Sequence, residues 1–301
     1  MDPTRRQFFP GLLLRRLVKE QPLGTFGGVV VLLLVFVSIF AGAVAPYEPA
    51  EVHLADRLTS SSSRYLLGTD HLGRDLLSRL IYGARISLFV GLAATTVNVV
   101  VAVLIGAPSG YFGGKLDLAV QRFVDAWMAF PGLLILLTIM SVVGQGLPQI
   151  ILVLGIAGGI GGSRVVRGAV LGIKENDYFL AAQAVGTPTR HILIGHVLPN
   201  IIPVVIIVFS INIGGVIIAE ASLSFLGFGL PLEIPSWGAM LSREGRKYME
   251  VAPRLALLPG LCLTIVVYCL NMFGDAVRDL LDPRLRGGGG RMGASARQTG
   301  I

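Results

Sequence analysis

Charged side chains are absent from five long runs of the chain: 21–47, 86–114, 126–163, 192–219 and 255–274. A helix needs about 20 apolar residues to cross the hydrocarbon of a bilayer, so four of these runs hold one span each. The 126–163 run is too long for one span and carries a turn signal inside it, Gly144-Gln145-Gly146-Leu147-Pro148. It therefore ends one span and begins another. The pattern predicts an all-α integral membrane protein of six transmembrane helices, near 25–45, 86–107, 120–143, 148–167, 197–219 and 253–274.

The connectors carry the more specific signals. Between the fourth and fifth spans lies Asn176 to Asn200, a moderately polar, helix-forming stretch. Asn176 is placed to cap a helix, Asp177 puts a negative charge in its first turn, and Ala181, Ala182 and Ala184 favour it. Gly186 is placed to end it. Thr187 then reads as a new N-cap with Pro188 at the first helical position. The stretch predicts a short helix, a sharp turn and a second helix entering the fifth span. Such a unit between two spans implies that something docks on it. Residues 46–85 begin with prolines and a serine run, which predicts irregular chain. Thr69 or Asp70 then caps an amphipathic helix with Asp75 and Arg79 as an i,i+4 pair, lying at the membrane interface ahead of the second span. Pro108, Gly110, Gly113 and Gly114 predict a turn within 108–119.

Composition agrees with the pattern. Charged residues are 14% of the chain, against about 25% in soluble domains. The formal charge of +7 does not point to nucleic acid once its distribution is read. With the N-terminus inside, the inner segments hold 16 Lys and Arg and the outer ones 9. This bias puts both termini and the 176–200 stretch in the cytoplasm. Arg243, Arg246, Lys247 and Arg254 fall on the outer side, which suggests a re-entrant or interface-bound segment there. The basic arm of residues 1–24, with Arg5, Arg6, Arg15, Arg16 and Lys19, suits anionic lipid headgroups. Its apolar run is longer than a signal peptide's, so it is read as a retained first span.

Candidate chemistry is sparse. Gly114-Lys115-Leu116 lacks the first glycine and the Ser/Thr of a phosphate loop, so no nucleotide site is encoded. Gly155, Gly158, Gly159, Gly161 and Gly162 include two overlapping GxxxG spacings and predict close helix packing. Cys262 and Cys269 share one helix face as packing residues, and His53 and His71 are read as solvated rather than as metal ligands. Glu220, at a span end, is a candidate for the pathway or gate together with Ser222 and Phe225, or else an interfacial carboxylate. The Gly-rich tail from Gly287 predicts disorder.

Several of these stretches resemble one family. Ala181-Ala182, then Gly186 after three residues, then Leu198-Pro199 are similar to the cytoplasmic "EAA" signature of importer-type ABC transporter permeases. Leu180 stands in place of the Glu, and His196 at a usually apolar position, as in the His-x-Leu-Pro-Asn version of peptide permeases. Gly68-Thr69-Asp70, Gly73-Arg74-Asp75 and Ser78-Arg79 resemble the outer segment of the C-type subunit of dipeptide/oligopeptide/nickel permeases, and Glu220 to Gly229 resembles the segment after that subunit's fifth span.

The resemblance implies a type I ABC importer permease fold, N-in and C-in, in a bacterial or archaeal cell membrane. It implies a coupling segment over 176–199, with Asp177, Leu180, Ala181, Ala182, Ala184, Gly186, Thr187, Pro188, His196, Leu198 and Pro199 facing an ATPase. The implied partners are a homologous second permease subunit, two ATPase subunits that bind ATP-Mg, an extracytoplasmic solute-binding protein and a peptide solute. No cofactor, metal or enzymatic activity is expected in this chain. Its expected organisation is an N-terminal arm (1–24), a first span with outer segment (25–82), a permease domain (83–275) and a tail (276–301). Nickel chelates or another small solute are alternative cargoes. A self-sufficient secondary transporter would require charges within the spans, and the five runs have none. An intramembrane enzyme would require groups that meet, whereas His196 and Glu220 are separated by about 36 Å of helix.

Overall fold

A computed structural model describes residues 10–231 and 234–281. The Gly-rich tail and the first arginines of the basic arm lie outside the described residues. Helix α1 (Pro10–Glu20) leads into α2 (Pro22–Ile39), which ends in a short turn of helix, α3 (Ala41–Val44). An irregular outer segment follows. The long helix α4 (Leu76–Phe112) descends, α5 (Gly114–Ala129) and α6 (Gly132–Val143) return, and α7 (Leu147–Lys174) descends again. The connector holds α8 (Asp177–Ala184) and α9 (Thr189–Ile192), which continues through a widened turn into α10 (Leu198–Phe225). A single turn, α11 (Trp237–Met240), precedes α12 (Arg254–Leu281). Among the described residues, five helices are long and apolar enough to cross a membrane, six if the broken pair of α5 and α6 counts as one crossing.

That break corrects the expectation of one continuous span over 120–143. The two helices meet at 91°. Pro131 is the physical cause: its ring pushes the preceding residue out of the helical region, and Phe130 sits at φ −89°, ψ 144°. The turn expected over 108–119 is made by Gly113 and Gly114 alone, while Pro108 and Gly110 lie within α4.

The principal seam is between α4 and α7, and it is built on the glycines. A Cβ on Gly159 would stand 2.6 Å from the Val101 Cβ, and one on Gly106 would stand 2.3 Å from the Ser163 carbonyl oxygen. Without a hydrophobic drive in lipid, such close backbone approach is what binds helices together. On the other side α12 packs along α2 and α10, with Cys269 buried there and Cys262 partly buried, both as free thiols. Gln21 donates to Asp279 at 3.0 Å, so the start of α2 and the end of α12 share one end of the bundle.

The stretch before the second span is not an interfacial helix. Leu76 and Leu80 belong to a buried cluster with Leu255, Met240 and Trp237, whose indole N–H donates to the Leu80 carbonyl at 3.0 Å. Covered by the chain around α11, the first turns of α4 are a piece of core.

Candidate functional site

At the end of the bundle read as cytoplasmic, α8 is an eight-residue helix with one buried side chain. Phe179 is fully buried, in a cluster with Val170, Ile173, Ile192, Val197 and Ile201, and its ring meets Tyr111 of α4 edge-on at 6.2 Å. The remaining helix surface, including Tyr178, Leu180 and Ala181, is exposed, and beyond it Val185 is 86% exposed. Of the predicted coupling residues, Asp177, Leu180, Ala181 and Ala184 lie on this bare surface and Ala182 is half-buried.

Two capping expectations are corrected. Asn176 occupies the N-cap position, but its side chain makes no cap to α8. It donates instead to the Gly172 and Ile173 carbonyls at 3.1 and 3.0 Å, closing the end of α7. At the other end the Gly186 N–H reaches the Gln183 carbonyl and the Thr187 N–H reaches the Ala182 carbonyl, a complete Schellman closure. Gly186 sits at φ +78°, which glycine alone adopts without strain. The Thr187 amide is used in that closure, so Pro188, at φ −58° and ψ 141°, holds the N-cap place and the next helix begins at Thr189. His196 lies in a π-turn, Leu193–Val197. Pro199 has no N–H for the Gly195 carbonyl and would crowd it, and the wider turn makes room. The Leu198 N–H bonds back to Leu193, Asn200 donates to the His196 carbonyl at 2.6 Å, and the His196 ring lies 6.4 Å from that of Tyr178. The stretch from α8 through the π-turn into α10 is thus one connected piece.

At the opposite end the outer motif residues converge. Gly68, Thr69, Asp70, Gly73, Arg74, Asp75, Ser78 and Arg79 form a compact loop closed by a bridge between Thr69 and Asp75. Gly73 adopts φ +78°, and a Cβ there would strike the His53 carbonyl. The expected Asp75–Arg79 pair is not formed. Asp75 caps α4, accepting from the Ser78 N–H at 2.8 Å and its hydroxyl at 2.7 Å. Arg79 donates to Glu244 at 3.0 Å and lies 3.4 Å from Asp70. Arg74 donates to Asp70 and to Glu244, each at 2.6 Å. Asp70 and Glu244 are thus each shared by two guanidiniums within a buried knot. Ligand atoms of Asp70, His71 and Glu244 lie within 4.8 Å of one another, but the carboxylates are already bonded to arginine, so the arrangement is an ion-pair knot. Burial holds the His71 imidazole below its ordinary value, with Asp70 opposing and Arg74, Arg79 and Arg57 pushing the same way. Of the outer basic residues, Arg254 donates to the Leu58 and Thr59 carbonyls at 3.0 Å, pinning the outer segment to the start of α12.

The three pathway candidates separate. Ser222 and Phe225 line an open cavity of about 700 Å3 between α10 and α12, whereas Glu220 does not. Glu220 is fully buried and accepts from Ser224 at 2.8 Å and Ser236 at 3.0 Å, tying α10 to the segment that starts α11. Sequence reasoning missed the α12 wall of the cavity: Thr264, Tyr268 and Asn271. Their i, i+4, i+7 spacing, the polar stripe of an otherwise apolar span, is the signal that could have found them.

A membrane bundle with a bare helix at one end, a knotted cap at the other and an open cavity between them is the arrangement of a transport permease. Residues 102–287 match the family described as binding-protein-dependent transport system inner membrane component, and residues 12–62 match the N-terminal TM domain of oligopeptide transport permease C. The chain belongs to this family of ABC importer permeases. A glutathione transport system permease protein of Pectobacterium atrosepticum is 36% identical over 268 residues, 89% of either chain. An oligopeptide transport system permease protein of Haemophilus influenzae is 36% identical, over 85% of this chain and 83% of its own. A dipeptide transport system permease protein of Alkalihalophilus pseudofirmus is 33% identical, over 89% and 88%. Among solved structures, an inward-facing MetNI methionine ABC transporter aligns at 20% identity and TM-score 0.48, over 68% of this chain and 96% of that one. The protein is therefore a multi-pass membrane permease of the ABC importer class, a class that works with ATPase and binding-protein partners.

Proposed function

We propose that the chain is half of the translocation pathway of an ATP-driven importer for dipeptides or oligopeptides in a bacterial or archaeal cell membrane. It pairs with a homologous second permease, two ATPase subunits that bind ATP-Mg, and an extracytoplasmic binding protein that delivers the solute. It contributes no catalytic residue and no cofactor of its own. The observation that carries this reading is α8, anchored by Phe179 and otherwise exposed apart from the half-buried Ala182, at the end of the bundle that the charge bias puts inside. A helix that offers so much unpartnered surface, yet is fixed to α4, α7 and α10, suits a rigid lever for another subunit. Leu180 and Val185 make that contact apolar, where the family signature has a carboxylate. The solute class is supported by the relatives, whose named cargoes of glutathione, oligopeptides and dipeptides share amide links between amino acids.

The test is reconstitution of the complete complex in vesicles, with uptake of a labelled dipeptide followed with and without ATP. Uptake is expected only with ATP, the ATPases and the binding protein together. Gly186→Trp, which forces a side chain into a left-handed turn, is expected to leave the subunit inserted and abolish uptake while ATP hydrolysis persists. ATP-independent uptake by this chain alone would overturn the reading.

A further inference from the structure

The basic residues at the outer end divide into two groups. Arg74 and Arg79 are bonded to the buried carboxylates of Asp70 and Glu244, Arg254 to backbone carbonyls, and Arg64 lies 3.4 Å from Asp56. Arg57, Arg246 and Lys247 are exposed, and among the described residues none of them reaches a carboxylate. Lys and Arg collect on the inner side of membrane proteins, so cations left unpaired on the outer side call for a use. Two of the three meet at one ring. Tyr248 packs against the buried cluster that holds Leu255 and Trp237, and His71 stacks on it at 5.5 Å. Arg57 donates to the Tyr248 hydroxyl at 3.3 Å with its guanidinium 6.0 Å from the ring centre, and the Lys247 ammonium stands 5.5 Å from that centre. The Tyr248 N–H bonds to the backbone carbonyl of Glu244 at 3.0 Å, which fixes the ring to the ion-pair knot. Next in the chain, Met249 is 55% and Val251 75% exposed. Glu250 between them is exposed too and pairs with none of the three cations.

We propose that this patch around Tyr248 seats an acidic face of the soluble binding protein that delivers the solute. This rests on the importer reading above, which supplies the binding protein but neither its seat nor its charge. Tyr, Arg and Met are the residue types enriched where proteins meet. A ring already clamped by His71 and Arg57 has little freedom left to lose on contact. Arg57, Arg246 and Lys247 draw carboxylates toward it and speed the encounter. Met249 and Val251 give the contact an apolar part, which a phosphate headgroup does not match. The family is described as binding-protein-dependent, so a soluble partner has to be received at this end of the bundle.

The experiment measures how fast the binding protein of the uptake assay associates with the complete complex in discs of neutral phosphatidylcholine. Arg246→Glu combined with Lys247→Glu changes only exposed side chains. With the complex at wild-type abundance, this double variant is expected to slow association about tenfold at about 0.1 M salt, where the screening length is about 10 Å. The two rates are expected to converge at about 1 M, where that length is about 3 Å. Arg57→Gln is a second route, expected to slow association about threefold at the lower salt; it decides should the double variant not assemble. Wild-type association by the deciding variant, or a slowing that is the same at both salts, overturns the seat and leaves the importer reading standing. A slowing seen only in discs that contain phosphatidylglycerol assigns the cations to lipid headgroups and overturns it as well. If the wild-type complex does not bind the binding protein, or takes up solute without it, the importer reading falls and the seat falls with it.

Discussion

Phe179 and Leu180 are adjacent apolar residues with opposite fates, one fully buried and the other 52% exposed. Nothing in an eight-residue helix distinguishes them in advance; the decision is made by Tyr111 and Val170, which supply the hole. Phe179→Ala is expected to cost about 3–5 kcal/mol of local docking energy. It should free the coupling segment for protease cleavage while the bundle stays folded, and protection equal to wild type would refute the anchor. His71 gives a pH prediction. Its folded value lies below the ordinary 6.5, so the folded state resists protonation. Stability from this source is complete above about pH 6.5 and declines as pH falls below it. The thermal midpoint of the purified protein should drop more between pH 7.5 and 5.5 than that of His71→Gln, a comparison that separates the histidine from Glu244 at 3.8 Å. Equal drops would remove His71 from the account. Arg79→Met should destabilise by about 3–5 kcal/mol, because it leaves Asp70 and Glu244 buried with one guanidinium between them. An unchanged melting midpoint counts against the knot.

Much of the element scale was legible before any coordinates. Runs without charge mark spans because a bilayer excludes charge wherever it comes in the chain, and helices fall on each of the predicted spans, the third as a broken pair. The GxxxG spacings were legible for the same kind of reason, since close packing needs small residues at fixed intervals. The 91° break was not, because Pro131 lies in a run whose composition looks like one span. The knot was not legible either: its two halves, Asp70 and Glu244, are brought together only by the tertiary fold. A prediction belongs here too. Gly159→Leu drives a side chain into Val101 and the Asn98 carbonyl, and overpacking of this kind costs about 1–3 kcal/mol or more. It should lower the amount of folded subunit in the membrane, whereas Gly168→Leu, where a Cβ meets nothing within 4 Å, should not.

For the whole molecule, one run of helix from Thr189 to Phe225 joins the two functional ends. It begins just past the coupling turn, passes through the π-turn at His196, carries Ser222 past the open cavity, and ends beside Glu220, which holds the outer cap through Ser236. The chain from the turn after α8 to the cap is thus continuous backbone, with the π-turn as its least regular point.

The break at Pro131 has a consequence for the lipid as well. At 12 residues, α6 is about 18 Å long, whereas the hydrocarbon layer is about 30 Å thick. α6 alone is thus too short to cross, and the rest of that crossing falls to the α5 half of the broken pair. The long α4 can instead answer a change of thickness by tilting. Acyl-chain length should therefore act on this protein from one side, through the bend between α5 and α6.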